Sequence, residues 1–347
     1  DVLHTRDVDE RLKQGQPYKQ WLKENAIRIQ DTLTDETRSI EQLDPAAIKT
    51  YQKLFQVSFE ERDQVIRPMA ENGQEAVGSM GDDTPMAGLS AKGRPLYDFF
   101  RQQFAQVTNP PIDPLRESIV MSLETCVGAE RNVFEETPQH ADRAILTSPV
   151  LSHSKFQQLL SIERDGYAVQ KISLNYDAAI SLRQAVENVC KEAAEAARNG
   201  KVILVLSDRD IDQGKLPIPA LMATGAVHHH LTNNALRCES NIVVETASAR
   251  DPHHFACLIG FGATAVYPYL AFDVICDLVR TGEVLMDPID AQKNFRKAID
   301  KGLLKILSKM GISTIASYRG AQLFEAVGVS REVVDSCFCG VQSRIQG

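Results

Sequence analysis

Two short histidine clusters are the first candidates for chemistry in this sequence. The segment "GAVHHHLTNNALR" contains His228–His230, and "RDPHHF" contains His253–His254. Adjacent helical residues point about 100° apart, so three consecutive histidines cannot all face one ion. Zinc or iron needs convergent imidazole or carboxylate ligands, for which His230, His253 and Glu245 are the candidates. No fixed spacing such as HExxH accompanies them, so polar histidines at helix starts or domain contacts are the alternative interpretation.

Two glycine-containing segments could form phosphate sites. "GFGATAV" (Gly260–Val266) has a first GxG but no third glycine, and its neighbours predict that it follows a helix and precedes a strand. The dinucleotide fingerprint needs the opposite order, so this segment predicts the end of a helix turning into a strand. "ASYRGAQLF" has the strand-to-helix order and places Arg319 and Gly320 near a helix N-terminus, where anions are favoured. One arginine and one glycine are weak support, and an ordinary strand–helix turn is the default.

The other candidate motifs do not complete a known kind of site. Cys337 and Cys339 in "CFC" are too close together for the usual zinc or iron–sulfur ligand pairs. The loop "GSMGDDTPMAGLS" contains Asp82 and Asp83, which would bind a hard cation only with further oxygen ligands. Such a pair in a glycine-rich loop more often accepts backbone N–H groups, so we expect Asp82 and Asp83 to fix the loop. With no GxSxG, P-loop or kinase motif, motifs alone predict no active site.

The composition limits the class of protein. The chain has 347 residues, a formal net charge of -8 and 7 cysteines. Its acidic balance argues against a nucleic-acid or anionic-membrane surface, and no stretch approaches the roughly 18 apolar residues of a membrane span. Few cysteines, odd in number and without CxxC pairs, favour a reducing cytoplasm over a disulfide framework. The chain begins at Asp1 without a methionine and ends abruptly at Gly347, which suggests a segment of a longer polypeptide.

The first third of the sequence carries helix start and stop signals. Asp44–Pro45 supplies the N-cap and first-turn residues of a helix that continues through "AAIKTYQKLF". Ser58 and Glu61 have the spacing of a capping box at the start of a second helix. This helix should end near Gly73, after Pro68 has weakened or kinked its last turns.

Two further helices are predicted before the middle of the chain. In "RPLYDFFRQQFAQV" the apolar residues from Leu96 to Phe104 are spaced along one helix face. "TNPPIDP" then interrupts, and Asp113–Pro114 restarts a helix in "IDPLRESIVMSL" with the same cap chemistry. We therefore expect residues 34–144 to be mainly helical.

Strand and helix signals alternate from about residue 145. The predicted strands are 144–152, 168–176, 201–208, 241–248, 264–271 and 312–317. The predicted helices are 180–200, 218–236, 252–261, 288–309 and 318–327. This alternation indicates an α/β fold with parallel strands and right-handed crossovers. The strands are too few for a closed eightfold barrel, so an incomplete or degenerate (β/α) barrel and an open doubly wound sheet are both possible.

Four blocks of the sequence resemble one known family. They are "ENGQEAVGSMGDDTPMAGLS", "YDFFRQQFAQVTNPPIDPLRESIVMSL", "PIPALMATGAVHHHL" and "KGLLKILSKMGISTIASYRGAQLFEAVG". Together they resemble the central domain of the large subunit of bacterial-type glutamate synthase, over residues 34–330. The resemblance implies that residues 1–33 leave an amidotransferase domain and that 331–347 lead into an FMN-binding synthase domain. Residues 34–144 and 145–330 would then be the helical and α/β parts of the central domain.

The resemblance implies a division of labour within a longer enzyme. In this family the amidotransferase domain releases ammonia from glutamine with an N-terminal cysteine. The synthase domain adds ammonia to 2-oxoglutarate, and FMN and an iron–sulfur cluster deliver electrons that reduce the 2-iminoglutarate formed. The central domain joins the two, helps form the ammonia tunnel and is related to the FMN domain without binding flavin. This chain alone would be inactive, and none of its cysteines would be the nucleophile or a cluster ligand.

The resemblance also implies which loops face the ammonia path. Thr84, Pro85, Met86, Thr108 and Asn109 supply the mixture of apolar and neutral hydrogen-bonding groups that such a path needs. Plain interdomain packing is the alternative for both loops. The parent enzyme would take electrons from NADPH or ferredoxin and would pair with a small subunit or with ferredoxin. Neither nucleic acid nor a membrane is an expected partner.

Overall fold

The computed structural model of the protein describes residues 3–30, 43–78, 84–103, 112–113 and 115–345. Its helices are α1 (Thr5–Lys13), α2 (Tyr18–Asn25), α3 (Pro45–Leu54), α4 (Phe59–Glu61), α5 (Arg67–Asn72), α6 (Glu117–Val120), α7 (His153–Leu160), α8 (Leu182–Arg198), α9 (Ala220–Asn233), α10 (Pro252–Gly260), α11 (Tyr269–Arg280), α12 (Pro288–Met310), α13 (Ile315–Tyr318) and α14 (Arg331–Cys337). Its strands are β1 (Ile27–Arg28), β2 (Phe100–Gln102), β3 (Thr125–Val127), β4 (Ala144–Leu146), β5 (Val169–Ser173), β6 (Asn175–Asp177), β7 (Ile203–Ser207), β8 (Lys215–Pro217), β9 (Asn241–Glu245), β10 (Ala265–Tyr267) and β11 (Phe324–Ala326). These elements form the mixed α/β fold that the sequence predicts.

A parallel sheet forms the centre of the molecule, with the strand order β10-β9-β7-β5. Ile203 pairs with Val169 on one side and with Asn241 on the other, and Val243 pairs with Ala265. The spatial order therefore follows the chain order, and α8, α9 and α10 connect successive strands. A doubly wound sheet reverses its strand order at a switch point, whereas consecutive strands of a barrel are neighbours. The sheet thus corresponds to an arc of a (β/α) barrel.

The outer edge of β10 is covered by the chain that precedes α7. Val150 forms a parallel bridge with Val266. The N–H of Leu151 donates to the Val266 carbonyl at 2.9 Å, and the N–H of Val266 donates to the Pro149 carbonyl at 2.8 Å. Within the described residues no strand pairing joins this segment to β5, so the arc is open. Smaller sheets have the orders β1-β4-β3, β11-β2 and β6-β8.

The central strands are buried on both faces, which explains their continuous apolar sequences. Every residue of β7 and of β9 is buried. On α8 the buried face includes Ala185, Val189 and Ala193, and the charged residues lie on the other face. The sheet and these helices form the core. Among the described helices, none combines the length and the apolar composition needed to cross a lipid bilayer.

Helix-start signals in the amino-terminal part are largely confirmed. The Asp44 side chain accepts the N–H of Ala46 at 2.8 Å at the start of α3. The Ser58 hydroxyl accepts the N–H of Glu61 at 3.0 Å. Glu61 does not complete a capping box, because its carboxylate accepts a hydrogen bond from Arg250 at 2.6 Å. The spacing therefore predicts the helix start correctly but not the partner of the glutamate.

The following helix is distorted before Pro68, as expected for a proline inside a helix. A π-turn over Arg62–Ile66 separates α4 from α5, and the N–H of Arg67 donates to the carbonyl of Arg62. Proline lacks the N–H that an α-helix needs here, and the π-turn accommodates the missing bond. Gly73 ends α5 with a φ of 60°. This left-handed conformation favours glycine, so the predicted helix end is confirmed.

Two segments predicted to be helices contain strands that pair with each other. The segment 96–104 begins with a short 3₁₀ turn followed by β2, and the segment 318–327 contains β11. The two strands are antiparallel, with Phe100 opposite Ala326. Local periodicity cannot show this pairing, because strand formation here depends on contacts between distant parts of the chain. Both helix predictions are wrong for the same reason.

Two other boundaries differ from the prediction. The segment 312–317 is predicted as a strand but contains the start of α13. The strand predicted over 264–271 ends at Tyr267 and is followed by α11, a helix that the sequence pattern does not predict. Pro268 separates the two elements as the N-cap residue of α11. Apolar residues on both sides of this proline hide the change from strand to helix.

The helix predicted to begin at Asp113–Pro114 is shorter than expected. The Asp113 carboxylate accepts the N–H of Leu115 at 3.0 Å and that of Arg116 at 3.2 Å. This is the cap chemistry that the sequence predicts. However, α6 begins only at Glu117 and ends after one turn.

Candidate functional site

The carboxyl ends of the parallel strands bring charged side chains together. Glu245, the last residue of β9, is buried, and its carboxylate accepts a hydrogen bond at 2.7 Å from Ser207, the last residue of β7. The ammonium of Lys171 on β5 lies 3.0 Å from Glu245 Oε2. The guanidinium of Arg209 lies 3.6 Å from Glu245 Oε1. Ligands of α/β proteins bind at this edge of the sheet, so it is the first candidate for a functional site.

Asp208 lies on the same edge and is also bonded within the protein. The Thr246 hydroxyl donates to Asp208 Oδ2 at 2.5 Å, and the N–H of Ala247 donates to Asp208 Oδ1 at 3.0 Å. Burial raises the pKa of Asp208 to about 6, and these hydrogen bonds oppose the shift. Arg209 lies over the ring of Tyr269, with Cζ 5.3 Å from the ring centroid. Both carboxylate oxygens of Asp208 are therefore engaged without a ligand.

One carboxyl group near this edge is incompletely bonded. Asp273 on α11 is 3% exposed, and within the described part of the chain its Oδ2 atom has no hydrogen-bond partner. Burial raises the pKa of Asp273 from 3.8 to about 7, although the charge of Arg209 and the N–H of Leu43 oppose this shift. Such a group can take up or release a proton near neutral pH. The edge thus combines satisfied ion pairs with one carboxyl that titrates near neutrality.

Of these residues, only Glu245 is predicted from the sequence to belong to a site. A usable signal was nevertheless present in the sequence. Ser207–Arg209 follows the apolar run of β7, and Thr246 follows the apolar run of β9. Polar residues directly after buried parallel strands meet at one edge of a sheet. The two strand ends lie far apart in the sequence, so neither end alone shows that they meet.

The three candidate metal ligands have separate environments. A ring nitrogen of His253 forms a hydrogen bond with the carbonyl of Tyr97 at 3.0 Å, while Glu245 binds Lys171. His230, near the end of α9, lines a cavity of about 460 Å³ between α8, α9 and α14. In the part of the chain that the structure describes, no three His, Cys, Asp or Glu side chains form a group that could hold a metal ion. Among the described residues, the alternative metal site from His230, His253 and Glu245 is therefore not assembled.

His228 has a structural role at the opposite end of the sheet. Arg237 donates to His228 Nδ1 at 3.0 Å. Burial lowers the pKa of His228 to about 4, with a further contribution from the charge of Arg237, so the ring is neutral at pH 7. Gly262 has a φ of 117°, and a Cβ there would lie 2.5 Å from His228 Nδ1. The segment Gly260–Val266 therefore ends a helix against this histidine and enters β10, as the sequence predicts.

The structure also places the two remaining sequence candidates, the Arg319–Gly320 turn and the Cys337–Cys339 pair. Arg319 and Gly320 do not precede a helix, because α13 lies before them and β11 follows. The predicted strand–helix turn, and with it the helix-dipole argument for an anion, is wrong. Cys337 is buried and Cys339 is exposed, and both are free thiols.

The structure describes residues 84–90 of the loop that is predicted to face the ammonia path. Thr84, Pro85 and Met86 are exposed, with Met86 41% exposed. The next turn is tightly packed, because a Cβ at Gly88 would lie 2.9 Å from the Cα of Gly328. This contact holds the carboxyl end of the loop and leaves Thr84–Met86 on the surface. The other residues predicted for the two loops, Asp82, Asp83, Thr108 and Asn109, lie outside the described residues.

Solved structures show only weak likeness to the chain. The recombinant flavin-binding domain of baker's yeast flavocytochrome b2 gives a TM-score of 0.31 and 16% identity, covering 42% of this chain and 36% of that chain. A mandelate oxidase structure gives a TM-score of 0.27 and 8% identity, covering 78% of this chain and 96% of that chain. At these values the likeness carries no argument about fold or function.

Sequence comparison is more informative. A family model described as the glutamate synthase central domain matches residues 50–330. The chain is 42% identical to the chloroplastic ferredoxin-dependent glutamate synthase of Oryza sativa subsp. japonica, 38% identical to the NADH glutamate synthase of Saccharomyces cerevisiae and 37% identical to the NADPH glutamate synthase large chain of Bacillus subtilis. These matches cover 100% of this chain but only 22%, 17% and 22% of the relatives. The chain, which spans about a fifth of their length, belongs to the glutamate synthase central-domain family.

Proposed function

We propose that this chain is the non-catalytic central domain of a longer glutamate synthase. It would join a glutamine-hydrolysing domain to a flavin-dependent synthase domain. The observation that carries this proposal is the carboxyl edge of the parallel sheet, where Glu245 binds Lys171, Ser207 and Arg209, and where Asp208 is also fully bonded. A catalytic edge keeps donors and acceptors available to a substrate. Side chains that satisfy one another support a domain that connects and positions its neighbours.

The relatives support a longer parent enzyme. Because they are glutamate synthases several times the length of this chain, we infer that the chemistry belongs to other parts of the parent. The parent would form glutamate from glutamine and 2-oxoglutarate, with FMN and an iron–sulfur cluster bound outside this chain. Residues 1–33 and 331–347 would link the central domain, 34–330, to its neighbours.

The partners of the parent remain part of this proposal. Names of the relatives mention ferredoxin, NADH and NADPH, so the electron donor differs within the family. For this chain we propose NADPH or ferredoxin as the donor, and a small subunit or ferredoxin as the partner. The cysteine usage supports a cytoplasmic location, whereas the rice relative is named as chloroplastic.

The ammonia path is the finer part of the proposal. Ammonia must move between domains without protonation, because ammonium is not a nucleophile. A path that excludes bulk water and offers a few neutral hydrogen-bonding groups meets this need. Thr84, Pro85 and Met86 support such a role because they are exposed beside the fixed Gly88–Gly328 contact. Thr108 and Asn109 would contribute the neutral groups of the second loop.

The experiment is Met86→Trp in the full-length enzyme. Methionine is flexible and apolar, and the larger rigid indole should obstruct a path that Met86 lines. We expect the 2-oxoglutarate consumed per glutamine hydrolysed to fall by up to about tenfold, while glutamine hydrolysis itself is retained. Both rates are measured in one assay by quantifying glutamate, ammonia and 2-oxoglutarate.

Two control variants make this test specific. Met86→Leu nearly conserves volume and should keep the coupling of the wild type. Leu89→Trp places the same indole at another exposed position of the loop, where Leu89 is 67% exposed. Unchanged coupling in Met86→Trp, or equal uncoupling in Leu89→Trp, would favour plain interdomain packing over a path.

A further inference from the structure

A partly buried arginine lies at the amino end of the parallel sheet, and no described acidic residue pairs with it. Arg237 donates to His228 Nδ1 at 3.0 Å, to the Ser240 carbonyl at 2.7 Å and to the Gly262 carbonyl at 2.9 Å. All three acceptors are neutral. Burial lowers the pKa of Arg237 to about 10, and the charge of Arg319 adds to this shift. The guanidinium is therefore well hydrogen-bonded but its charge is not neutralised by an ion pair.

A second arginine is linked by hydrogen bonds to the same end of β9. Arg143 donates to the Gly128 carbonyl at 2.7 Å, and the side-chain amide of Asn241 donates to that same carbonyl at 2.8 Å. Asn241 begins β9 and directly follows Ser240, the residue that Arg237 binds. Hydrogen bonds thus connect Arg143 and Arg237 to adjacent residues of one strand start.

A third arginine reaches this region from the other side of His228. The N–H of Gly320 donates to the Ile259 carbonyl at 3.1 Å, and a Cβ at Gly320 would lie 3.2 Å from His228 Cε1. The backbone of the adjoining Arg319 therefore lies close to the histidine that Arg237 binds, and the charge of Arg319 acts on Arg237 while that of Arg143 acts on Arg319. The Nε atom of Arg319 is buried and has no hydrogen-bond partner among the residues that the structure describes.

The charge of these three arginines is not balanced by close carboxylates. Among the described residues, no acidic side chain lies within ion-pair distance of Arg143, Arg237 or Arg319. The exposed Glu130 acts on Arg237 and Arg319 only from a greater distance. Partly buried positive charge without a counter-charge is costly, and the planar guanidinium fork matches the geometry of carboxylate and phosphate groups.

We propose that Arg143, Arg237 and Arg319, the arginine cluster, form a binding site for a small oxyanion that carries a phosphate or carboxylate group. Among the described hydrogen bonds, the Arg143 side chain donates from one nitrogen only and Arg319 Nε donates to none, so both can donate to the ligand, and Arg237 contributes fixed positive charge. Charge-assisted hydrogen bonds from these groups hold the oxyanion. The site is independent of the ammonia path, which involves different loops.

An exposed cysteine provides a local probe of this site. Cys126 on β3 lies opposite Ile145 on β4, and Arg143 directly precedes β4. Burial raises the pKa of the Cys126 thiol, while the nearby charges of Arg143 and Arg319 oppose that shift. An oxyanion bound by the arginines weakens this opposing effect and also restricts access. Both consequences slow alkylation of Cys126.

The test measures alkylation of Cys126 by iodoacetamide in the full-length protein, using peptide mass spectrometry at constant ionic strength. Inorganic phosphate and succinate are titrated separately, so that the two arms distinguish phosphate from carboxylate ligands. We expect saturable protection of Cys126 by about tenfold with at least one anion. Cys339, which is also exposed, is the internal control and should react at a constant rate.

Variants decide whether the arginine cluster causes the protection. Arg319→Gln should weaken the apparent anion affinity by about tenfold, and Arg319→Lys should retain part of it, because lysine keeps the charge but not the fork. Arg183→Gln is the control, since Arg183 lies on α8 and pairs with Glu332. If neither phosphate nor succinate slows the alkylation of Cys126, the proposed site is overturned. Full protection in both Arg319 variants overturns the assigned role of that residue and the cluster with it.

Discussion

The two ends of the parallel sheet carry opposite arrangements of charge. At the carboxyl edge, buried Glu245 is bonded to Lys171 and Ser207. At the amino edge, the described partners of Arg237 are all neutral acceptors, and no described residue bonds the buried Nε of Arg319. The ion pairs and hydrogen bonds of Glu245 are complete without a ligand, whereas the nearby Asp273 Oδ2 lacks a partner among the described residues. The amino edge has positive charge and hydrogen-bond donors in excess.

This difference separates charges that hold the fold from charges available to a ligand. Removing one member of a buried ion pair leaves the other charge desolvated and unpaired, which costs stability. Removing an arginine that is not in an ion pair leaves no carboxylate unpaired. While such an arginine is present, its donors remain available to an oxyanion. In this chain the available donors lie at the edge opposite to the one where α/β proteins usually bind ligands.

The largest effect that tests the comparison is expected for Glu245→Ala. The change removes the buried carboxylate that both Lys171 and Arg209 contact, and Arg209 is largely buried. We expect the free energy of unfolding to fall by about 3 kcal/mol, measured by urea unfolding followed by circular dichroism. A loss much below this value would mean that the carboxyl edge does not stabilise the fold as its geometry indicates.

Asp210→Asn is the matched control for this prediction. Asp210 also lies near Lys171, at 4.0 Å, but its side chain is 78% exposed. Asparagine tolerates the left-handed φ of 60° at this position. We expect a change below about 0.5 kcal/mol, because exposed ion pairs contribute little.

A smaller effect, dependent on pH, is expected for Asp273→Asn. The pKa of this carboxyl is raised from 3.8 to about 7 by burial, so the folded protein keeps the proton to a higher pH than the unfolded chain. Its contribution is therefore most favourable below pH 4 and is lost as the pH rises towards 7. Asparagine cannot ionise, so the variant does not lose this stability as the pH rises. It should be more stable than the wild type by about 1 kcal/mol at pH 8.

The measurement is the difference in unfolding free energy between variant and wild type at pH 4.5 and at pH 8. Subtraction removes the contributions of other acids, including Asp208, which titrate equally in both proteins. An advantage of the variant that grows with pH supports the raised pKa of Asp273. A difference independent of pH would mean that the unpaired Oδ2 is satisfied in solution and that this edge has no incomplete carboxyl.

Local signals explain how much of the fold was predictable from sequence. The cap bonds of Asp44 and Ser58 join residues that are close in the chain, so the sequence near each helix start contains both partners. Gly73 ends its helix for an equally local reason, the left-handed backbone. The buried strands are visible as unbroken apolar runs because both of their faces are covered.

Contacts between distant segments explain the failures. Phe100 and Phe324 occupy the paired strands β2 and β11 and pack around Phe261, at centroid distances of 5.2 Å and 5.6 Å. Each segment alone resembles a helix face, and only the partner shows that it is a strand. No pattern within either segment contains that information.

The candidate sites show the same limit. Arg319 is the one member of the arginine cluster that the sequence indicates, and it does so through a helix N-terminus that does not exist. Arg143 and Arg237 join it only through the strand start at Ser240 and Asn241. The carboxyl-edge network likewise depends on strands that are adjacent in space. A single segment of the sequence shows which chemical groups it carries. It does not show which side chains meet in the fold.

The smallest effect on intrinsic stability is expected for Arg319→Gln, and it discriminates most sharply between the two edges. Without added oxyanion, the variant removes an unpartnered Nε and a charge near Arg237, so the unfolding free energy should change by less than about 0.5 kcal/mol. With phosphate at about ten times its dissociation constant, the wild type should gain about 1.4 kcal/mol through binding, and the variant much less. Urea unfolding with and without phosphate, at constant ionic strength, measures both quantities. A large loss in the absence of anion would show that Arg319 holds the fold as Glu245 does, and the contrast between the two edges would then disappear.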